Sequence, residues 1–403
     1  MKRERNYTIE FFRFMFAVNF VLIHACMIYP IGFLKGFPLF VNGFDVIIPF
    51  MAFSGFFLMQ GYKKKQLQGI TGEQSAGRQA WDYLSARLTG LLPVFILAQL
   101  MGFVANRLWQ DTPLRDWPVY LLNAVGEFAG LQITGIGLGN ASVGGWGSAA
   151  PVNQLLNTPI WFISGIFVLG YFVYYLLAKN EKQFVGFIAP LTILLFYASM
   201  YMEGDAVPLW NAPVTIGNFH IAIGFLNMFC GLSIGVLIWV ACDKLKDKQW
   251  SRGMVAVMTI CQLVLTAVVF IKSWVSASSP FGQYFNIGWG ATYILTVFFS
   301  FFVLLNVDKC TRLPLFSGKI WRIPGKLSFY IYMLHFPIII FTGMAMGMKG
   351  LVLTPETASR IAPRVFTMYG VATAASIIVG LAVMELDTRI IQPWMKSQPW
   401  FKG

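Results

Sequence analysis

The stretch YTIEFFRFMFAVNFVLIHACMIYP, residues 7–30, decides how the rest of the chain is read. It is long and apolar enough to span a hydrocarbon core, yet it carries Glu10, Arg13 and His24. Arg13 and His24 lie eleven residues apart. At about 100° per residue that is about three turns plus 20°, so both side chains share one helix face, roughly 16 Å apart along the axis. Glu10 precedes Arg13 by one turn on nearly the same face. Ionisable groups inside a bilayer are costly and usually face a protein interior or a water-filled cavity. The helix therefore reads as one wall of a polar pore, with a cation near one mouth and an imidazole deeper in. The alternative is that Arg13 snorkels to the interface with Glu10 as its ion-pair partner, while His24 bonds a headgroup or a neighbouring helix.

The rest of the chain agrees with a membrane setting. Its 403 residues are 57% hydrophobic and 12% charged, with a mean hydropathy of +0.64, which excludes a soluble enzyme with a single anchor. The cysteines Cys26, Cys230, Cys242, Cys261 and Cys310 are scattered without paired spacing, so neither a disulfide framework nor a zinc site is indicated. The basic start MKRERNYTIEFFRF is followed by no small-residue cleavage site and reads as a retained first span. Ten spans are expected, at 8–29, 40–61, 84–106, 158–178, 184–203, 220–241, 253–274, 287–306, 327–347 and 366–386. With the N-terminus in the cytoplasm, only Lys35, Arg107, Arg115, Lys272, Lys349, Arg360 and Arg364 of the 30 Lys and Arg fall outside, as the positive-inside rule requires. The net charge of +13 is then a topology signal, and nucleic acid is not expected as a partner. The fold expected is all-α: one polytopic membrane helix bundle over residues 1–403, about ten transmembrane helices, both termini cytoplasmic, no appended soluble domain.

Taken in order, the second span ends in Lys63, Lys64 and Lys65, and its Ser54–Gly55 pair lets a neighbouring helix or a ligand come close. Arg87, near the cytoplasmic end of the third span, sits at a depth similar to Arg13, so the two are expected to face one another across a vestibule. Residues 107–157 form the longest loop; the apolar piece 117–133 is interrupted by Glu127 and glycines and reads as interfacial or re-entrant. The following Gly-rich run lacks the strand and GK[ST] of a phosphate loop. Asn157, Trp161 and Ser164 recur at one- and two-turn spacing at the outer mouth, where an aromatic belt is the alternative for Trp161. His220 is placed at the interface. Tyr332 and His335 lie one turn apart in the ninth span, with His335 read either as a packing histidine or as a substrate-side group.

Several of these stretches resemble one family. IEFFRFMFAVNFVLIHA (9–25) is similar to the first helix of acyltransferase family 3 membrane proteins, whose hallmark is Arg, ten residues, His. FMAFSGFFL (50–58) resembles that family's Ser-Gly segment, NTPIWFIS (157–164) its Asn-Pro-Trp-Ser entry, IGFLNMFCGLSIG (223–235) another recurrent stretch, and LSFYIYMLHFPII (327–339) its late Tyr…His-Pro block. Two positions depart from the pattern. Gly90 stands where the family often has the second arginine of Arg-x-x-Arg, and Ile48 stands where it often has an acid, with Asp45 one turn earlier.

The resemblance implies transfer of an acyl group, commonly acetyl, from cytoplasmic acyl-CoA to a hydroxyl of a surface carbohydrate or similar acceptor, in an inner or plasma membrane. The residues suit that chemistry. A buried neutral imidazole takes a hydroxyl proton, which makes His24 the expected base. Arg13 and Arg87 suit the anionic nucleotide end of the donor, since guanidinium makes bidentate phosphate contacts, and Glu10 orients Arg13. The pantetheine arm is roughly as long as the Arg13-to-His24 separation, so anchoring the nucleotide delivers the thioester to the base. Asn157, Trp161, Ser164 and His335 are the acceptor-side candidates, with Ser54 or Ser164 as oxyanion donor. No metal-ligand spacing occurs. The contrasting reading is a transporter or flippase for a sugar or small metabolite, with Arg13 and His24 as a proton relay, although the halves show no internal symmetry.

Overall fold

A computed structural model of the chain describes residues 7–29, 40, 44–70, 74–131, 156–202, 213–216, 219–275, 288–305, 314–350 and 355–398. Its first half comprises α1 (Tyr7–Ile28), α2 (Phe44–Leu67), α3 (Ala76–Trp109), the short α4 (Trp117–Asn123) and α5 (Val125–Phe128), α6 (Trp161–Gln183) and α7 (Ala189–Met202). A hairpin of β1 (Pro213–Ile216) and β2 (Phe219–Ala222) follows, antiparallel, with Thr215 opposite His220. Then come α8 (Ile223–Leu245), α9 (Arg252–Trp274), α10 (Gly288–Leu305), α11 (Pro314–Ser317), α12 (Arg322–Ala345), α13 (Pro355–Leu386) and α14 (Gln392–Ser397). The protein is thus a helical, multi-pass membrane bundle.

Helices begin and end where side chains say they should. Ser75 and Ser251 cap α3 and α9, accepting from the backbone N–H groups of Arg78 and Met254. Lys64 and Lys65 close α2, cations placed against the negative end of the helix dipole. Among the described residues, eight helices are long and apolar enough to cross a membrane. Two features separate that number from the ten spans read in the sequence. Segments 158–178 and 184–203 belong to one run, Trp161–Ala198, which breaks at Asn180, where φ −159° and ψ 90° leave helical geometry. Asn180 Oδ1 then accepts the Gln183 N–H and restarts the helix. Segment 287–306 contains the shorter apolar helix Ala291–Leu305. The sixth span starts later than the sequence reading has it, because 219–222 pair as a strand. The outer loop 31–39, the Gly-rich run 132–155, Lys35, Cys310 and the side chains of Asp45 and His220 lie outside the described residues.

Two helix pairs carry the most extensive packing, α1 with α12 and α2 with α8. The second is a small-residue crossing. A methyl group at Gly55 would land on the Leu232 carbonyl, one at Gly235 on the Ala52 carbonyl, and one at Gly231 on the Met51 side chain. Lipid-embedded helices gain little from hydrophobicity against each other, so close backbone approach through such residues drives association. The Ser54–Gly55 reading is realised here, with a helix as the close neighbour. At the α2 terminus Tyr62 donates to Leu177 O (3.1 Å) and Lys63 pairs with Glu181 at 2.5 Å, tying α2 to the break in α6.

Gly235→Leu is expected to push α8 off α2 and cost about 2 kcal/mol, the usual scale of overpacking, read as a lower unfolding midpoint in detergent. Gly370→Ala, where an added methyl meets nothing, serves as the control and is expected to stay within about 0.5 kcal/mol of wild type. Equal midpoints in the two variants would contradict the close crossing.

Candidate functional site

α12 carries an internal proline, Pro337. Proline has no N–H, so the carbonyl four residues back loses its helical partner. That carbonyl belongs to Met333, and Asn157 Nδ2 donates to it at 2.9 Å, with a longer 3.3 Å contact to Ala98 O. Two residues on, Pro159 O accepts the Tyr332 hydroxyl at 2.5 Å. The segment entering α6 is also held from its other sides. Asn106 donates to Leu156 O and Glu127 accepts the Leu156 N–H, each at 2.9 Å. Ser164, fully buried, donates to Gly130 O at 2.5 Å. Asn157, Ser164 and the carboxyl group of Glu127 therefore fasten α3, α5, α6 and α12 together. Trp161 is buried beside Phe162, with ring centroids 6.3 Å apart. None of Asn157, Trp161 and Ser164 lines the cavity described next.

A cavity of about 450 Å³ lies between α1, α2, α3, α6 and α12. Its polar wall is made by Glu10, Arg13, Ser54, Tyr83, Arg87 and Ser328. Arg13 and Arg87, predicted to face one another, thus line one chamber. Arg13 Nη1 is 3.5 Å from Glu10 Oε2, and the acid is 7% exposed. Gly325 makes room for Glu10, because any side chain there would strike its carboxylate. Arg87 lies against Tyr83, 5.5 Å from the ring centroid, and Tyr83 stacks on Tyr174 at 4.8 Å. Among the described residues no carboxylate pairs with Arg87. Ser54 donates to Phe50 O within its own helix.

The remaining wall is aromatic: Phe50, Phe53, Phe57, Phe162 and Tyr332 among others. Behind it sit the two histidines. His335 Nε2 is 2.9 Å from His24 Nδ1 across the α1–α12 interface. His335 is fully buried, and His24 is half-buried. The Tyr332 ring, which faces the cavity, is 5.8 Å from the His335 ring, and Phe20 lies 6.0 Å from His24 and 5.5 Å from Tyr332. The arginines line the cavity and the histidines lie outside its wall, with the rings of Phe20, Phe50 and Tyr332 between the two pairs. This His–His contact joins residues 311 positions apart, and the sequence reading left the partner of His24 open. The carbonyl freed by Pro337 was the available clue to Asn157: a proline inside a span calls for an outside donor near the residue four positions earlier.

Glu127 lies outside the spanning helices. Burial raises its carboxyl to about 8, against the smaller opposing effect of the Leu156 N–H. The folded state therefore holds a proton that the unfolded chain releases near its ordinary value, so this group's contribution is complete at acid pH and is lost as pH rises through about 8. Glu127→Gln, which keeps an acceptor for Leu156, is expected to flatten that part of the curve. The check is the difference between wild-type and variant unfolding midpoints from pH 5 to pH 9: a constant difference would contradict the buried proton.

No protein-family model, curated protein or solved structure matches this chain.

Proposed function

We propose that the protein is an integral membrane O-acyltransferase that moves an acyl group, acetyl by the resemblance of its motifs, from cytoplasmic acyl-CoA to a hydroxyl of a carbohydrate or similar acceptor. The observation that carries this reading is a chamber lined by Arg13 and Arg87 whose aromatic wall, at Tyr332, lies against the His24–His335 pair. In this reading the chain makes ten crossings, reversing at Asn180, with both termini in the cytoplasm of a cell whose inner or plasma membrane holds it.

The chemistry follows from the chamber and the histidine pair. The donor's phosphates sit against Arg13 and Arg87, in the geometry guanidinium favours, and Glu10 restrains Arg13. The pantetheine arm runs along the cavity past Phe53 and Phe57, and the thioester arrives beside Phe50 and Tyr332. His24 takes the acceptor's proton as the oxygen attacks, and returns it to the departing sulfur. Holding donor and base at fixed separation converts a bimolecular encounter into a positioned one.

Release of free coenzyme A from acetyl-CoA by purified protein in nanodiscs, with and without a glycan panel, is the test. His24→Ala is expected to lower turnover by about 10²- to 10⁴-fold, the contribution of a general base. Arg13→Ala and Arg87→Ala are each expected to raise the donor KM about tenfold or more, since hydrogen bonds to charged groups contribute about 1.5–3 kcal/mol, with smaller effects on kcat. Wild-type protein that neither binds acetyl-CoA nor releases coenzyme A would overturn the proposal and point to transport.

A further inference from the structure

We infer that His335 is a positioning residue that, together with the Phe20 carbonyl, holds the hydrogen of His24 on Nδ1, so that Nε2 of His24 is the nitrogen that exchanges protons with the acceptor. The catalytic meaning of this inference rests on the acyl-transfer reading; the tautomer rests on geometry alone.

A backbone carbonyl only accepts hydrogen bonds. His335 Nδ1 lies 2.7 Å from Tyr332 O and 3.2 Å from Ile331 O, so Nδ1 carries the hydrogen and donates it to the helix's own carbonyls. In the neutral ring Nε2 is then a lone pair. That lone pair is 2.9 Å from His24 Nδ1, so His24 Nδ1 carries a hydrogen and donates it. A separate contact requires the same assignment: His24 Nδ1 is 3.0 Å from Phe20 O, which again accepts. Reversing the pair, with an N–H on His335 Nε2, would aim the His24 Nδ1 lone pair at the Phe20 carbonyl. Both partners of Nδ1 therefore place its hydrogen there and leave Nε2 with the basic lone pair. Among the described residues, the hydrogen bonds of His24 all run through Nδ1. Which ring nitrogen is basic is set by the bond the other one makes, and here that bond is shared between the Phe20 carbonyl and a second histidine held on carbonyl oxygens.

The step balances with these two rings. The acceptor's O–H proton passes to His24 Nε2 as its oxygen forms a bond to the thioester carbon, whose C=O electrons move onto oxygen. The carbonyl re-forms, the C–S bond breaks, and the sulfur leaves with the proton from His24 Nε2, giving an ester and a free thiol. While His24 is an imidazolium, its Nδ1–H···Nε2 bond to His335 is charge-assisted and stronger. His335 touches neither substrate; it aims the base and stabilises its charged form.

The test reads the tautomer directly. The chain has three histidines, so ¹⁵N-histidine labelling of the His220→Gln protein in nanodiscs leaves two imidazoles to observe by NMR. Both are expected as neutral rings protonated at Nδ1, with a nitrogen–nitrogen coupling across the His24–His335 hydrogen bond; in the His335→Ala variant that coupling is lost while the Phe20 carbonyl keeps the His24 hydrogen on Nδ1. In coenzyme A release, His335→Ala is expected to lower kcat about 10²-fold, the lower end of a general base's contribution, with the donor KM within about twofold. His335→Gln, whose amide oxygen stands near the lost Nε2, is expected to recover about tenfold of that. A His24 ring protonated at Nε2 in the unaltered site overturns the inference. So does a His335 ring protonated at Nε2, or the absence of any nitrogen–nitrogen coupling between the two rings, which would assign His335 to packing. Wild-type protein that shows both Nδ1–H rings but releases no coenzyme A supports the tautomer assignment and sinks the acyl-transfer reading, so the two failures are distinguishable.

Discussion

Within a hydrocarbon layer no water is available to a stranded polar group, so each must find its partner inside the protein. α12 is the helix on which that constraint bears hardest. It presents the His335 imidazole, the Met333 carbonyl freed by Pro337, and the hydroxyls of Ser328, Tyr330 and Tyr332. Each is answered from a particular place: His24 on α1, Asn157 ahead of α6, the Gly325 carbonyl of α12 itself, Asp387 just past α13 and the Pro159 carbonyl. A hydrogen bond contributes only about 0.5–1.5 kcal/mol net, but a buried group left without its partner costs about 1–3 kcal/mol. Rotating α12 by one residue, about 100°, would strand His335 Nε2, the Met333 carbonyl and the hydroxyls of Tyr330 and Tyr332 at once, while Ser328 carries its own partner with it. The set of partners therefore fixes the rotation of α12 about its axis, and that rotation aims His335 at α1.

The same logic explains which parts of the site could be read from the chain alone. Arg13 and His24 share one helix, so their common face follows from spacing. Arg87 could be matched to Arg13 because both sit at the same depth of neighbouring spans, and Gly55 because a glycine inside a span marks a close approach. The His24–His335 bond was beyond reach, since it depends on which of several helices lies against α1 and on the rotation of that helix. Asn157 and Ser164 read as acceptor-side candidates from their stripe at helical spacing; in the structure their donors reach Met333 O, Ala98 O and Gly130 O, while Asn157 Oδ1 is buried with no hydrogen-bond partner among the described residues. A polar stripe reports that something must be satisfied and does not report whether it is a ligand or a carbonyl. The hairpin at 213–222 was missed because an apolar run of that length reads equally as the start of the helix it precedes.

The two departures from the family pattern take on definite surroundings. A side chain at Gly90 would meet only open space, and the Gly90 carbonyl accepts from Gln392. Gly90 is exposed and absent from the cavity wall, while Arg87 and Leu91 on either side of it line the chamber. Arg13 and Arg87 line the chamber without a second arginine at position 90, Arg13 beside Glu10 and Arg87 against Tyr83. Ile48 is buried in the main core at 3% exposure, a place where an unpaired acid would be expensive.

The separation of Arg13 from His24 along α1 has an electrostatic consequence. At roughly 16 Å along the helix and an effective dielectric constant of about 20, one unit charge acts on another by about 1 kcal/mol. Glu10, within 3.5 Å of Arg13, offsets much of that. The Arg13 charge is therefore a small influence on a proton at His24 beside what touches the ring: a histidine lone pair and a backbone carbonyl at Nδ1, and the rings of Phe20 and Phe336. In the acyl-transfer reading, binding an anionic donor and transferring a proton at an imidazole make opposite demands on local charge, and the length of one helix, with rings packed between its ends, would let a single chain meet both.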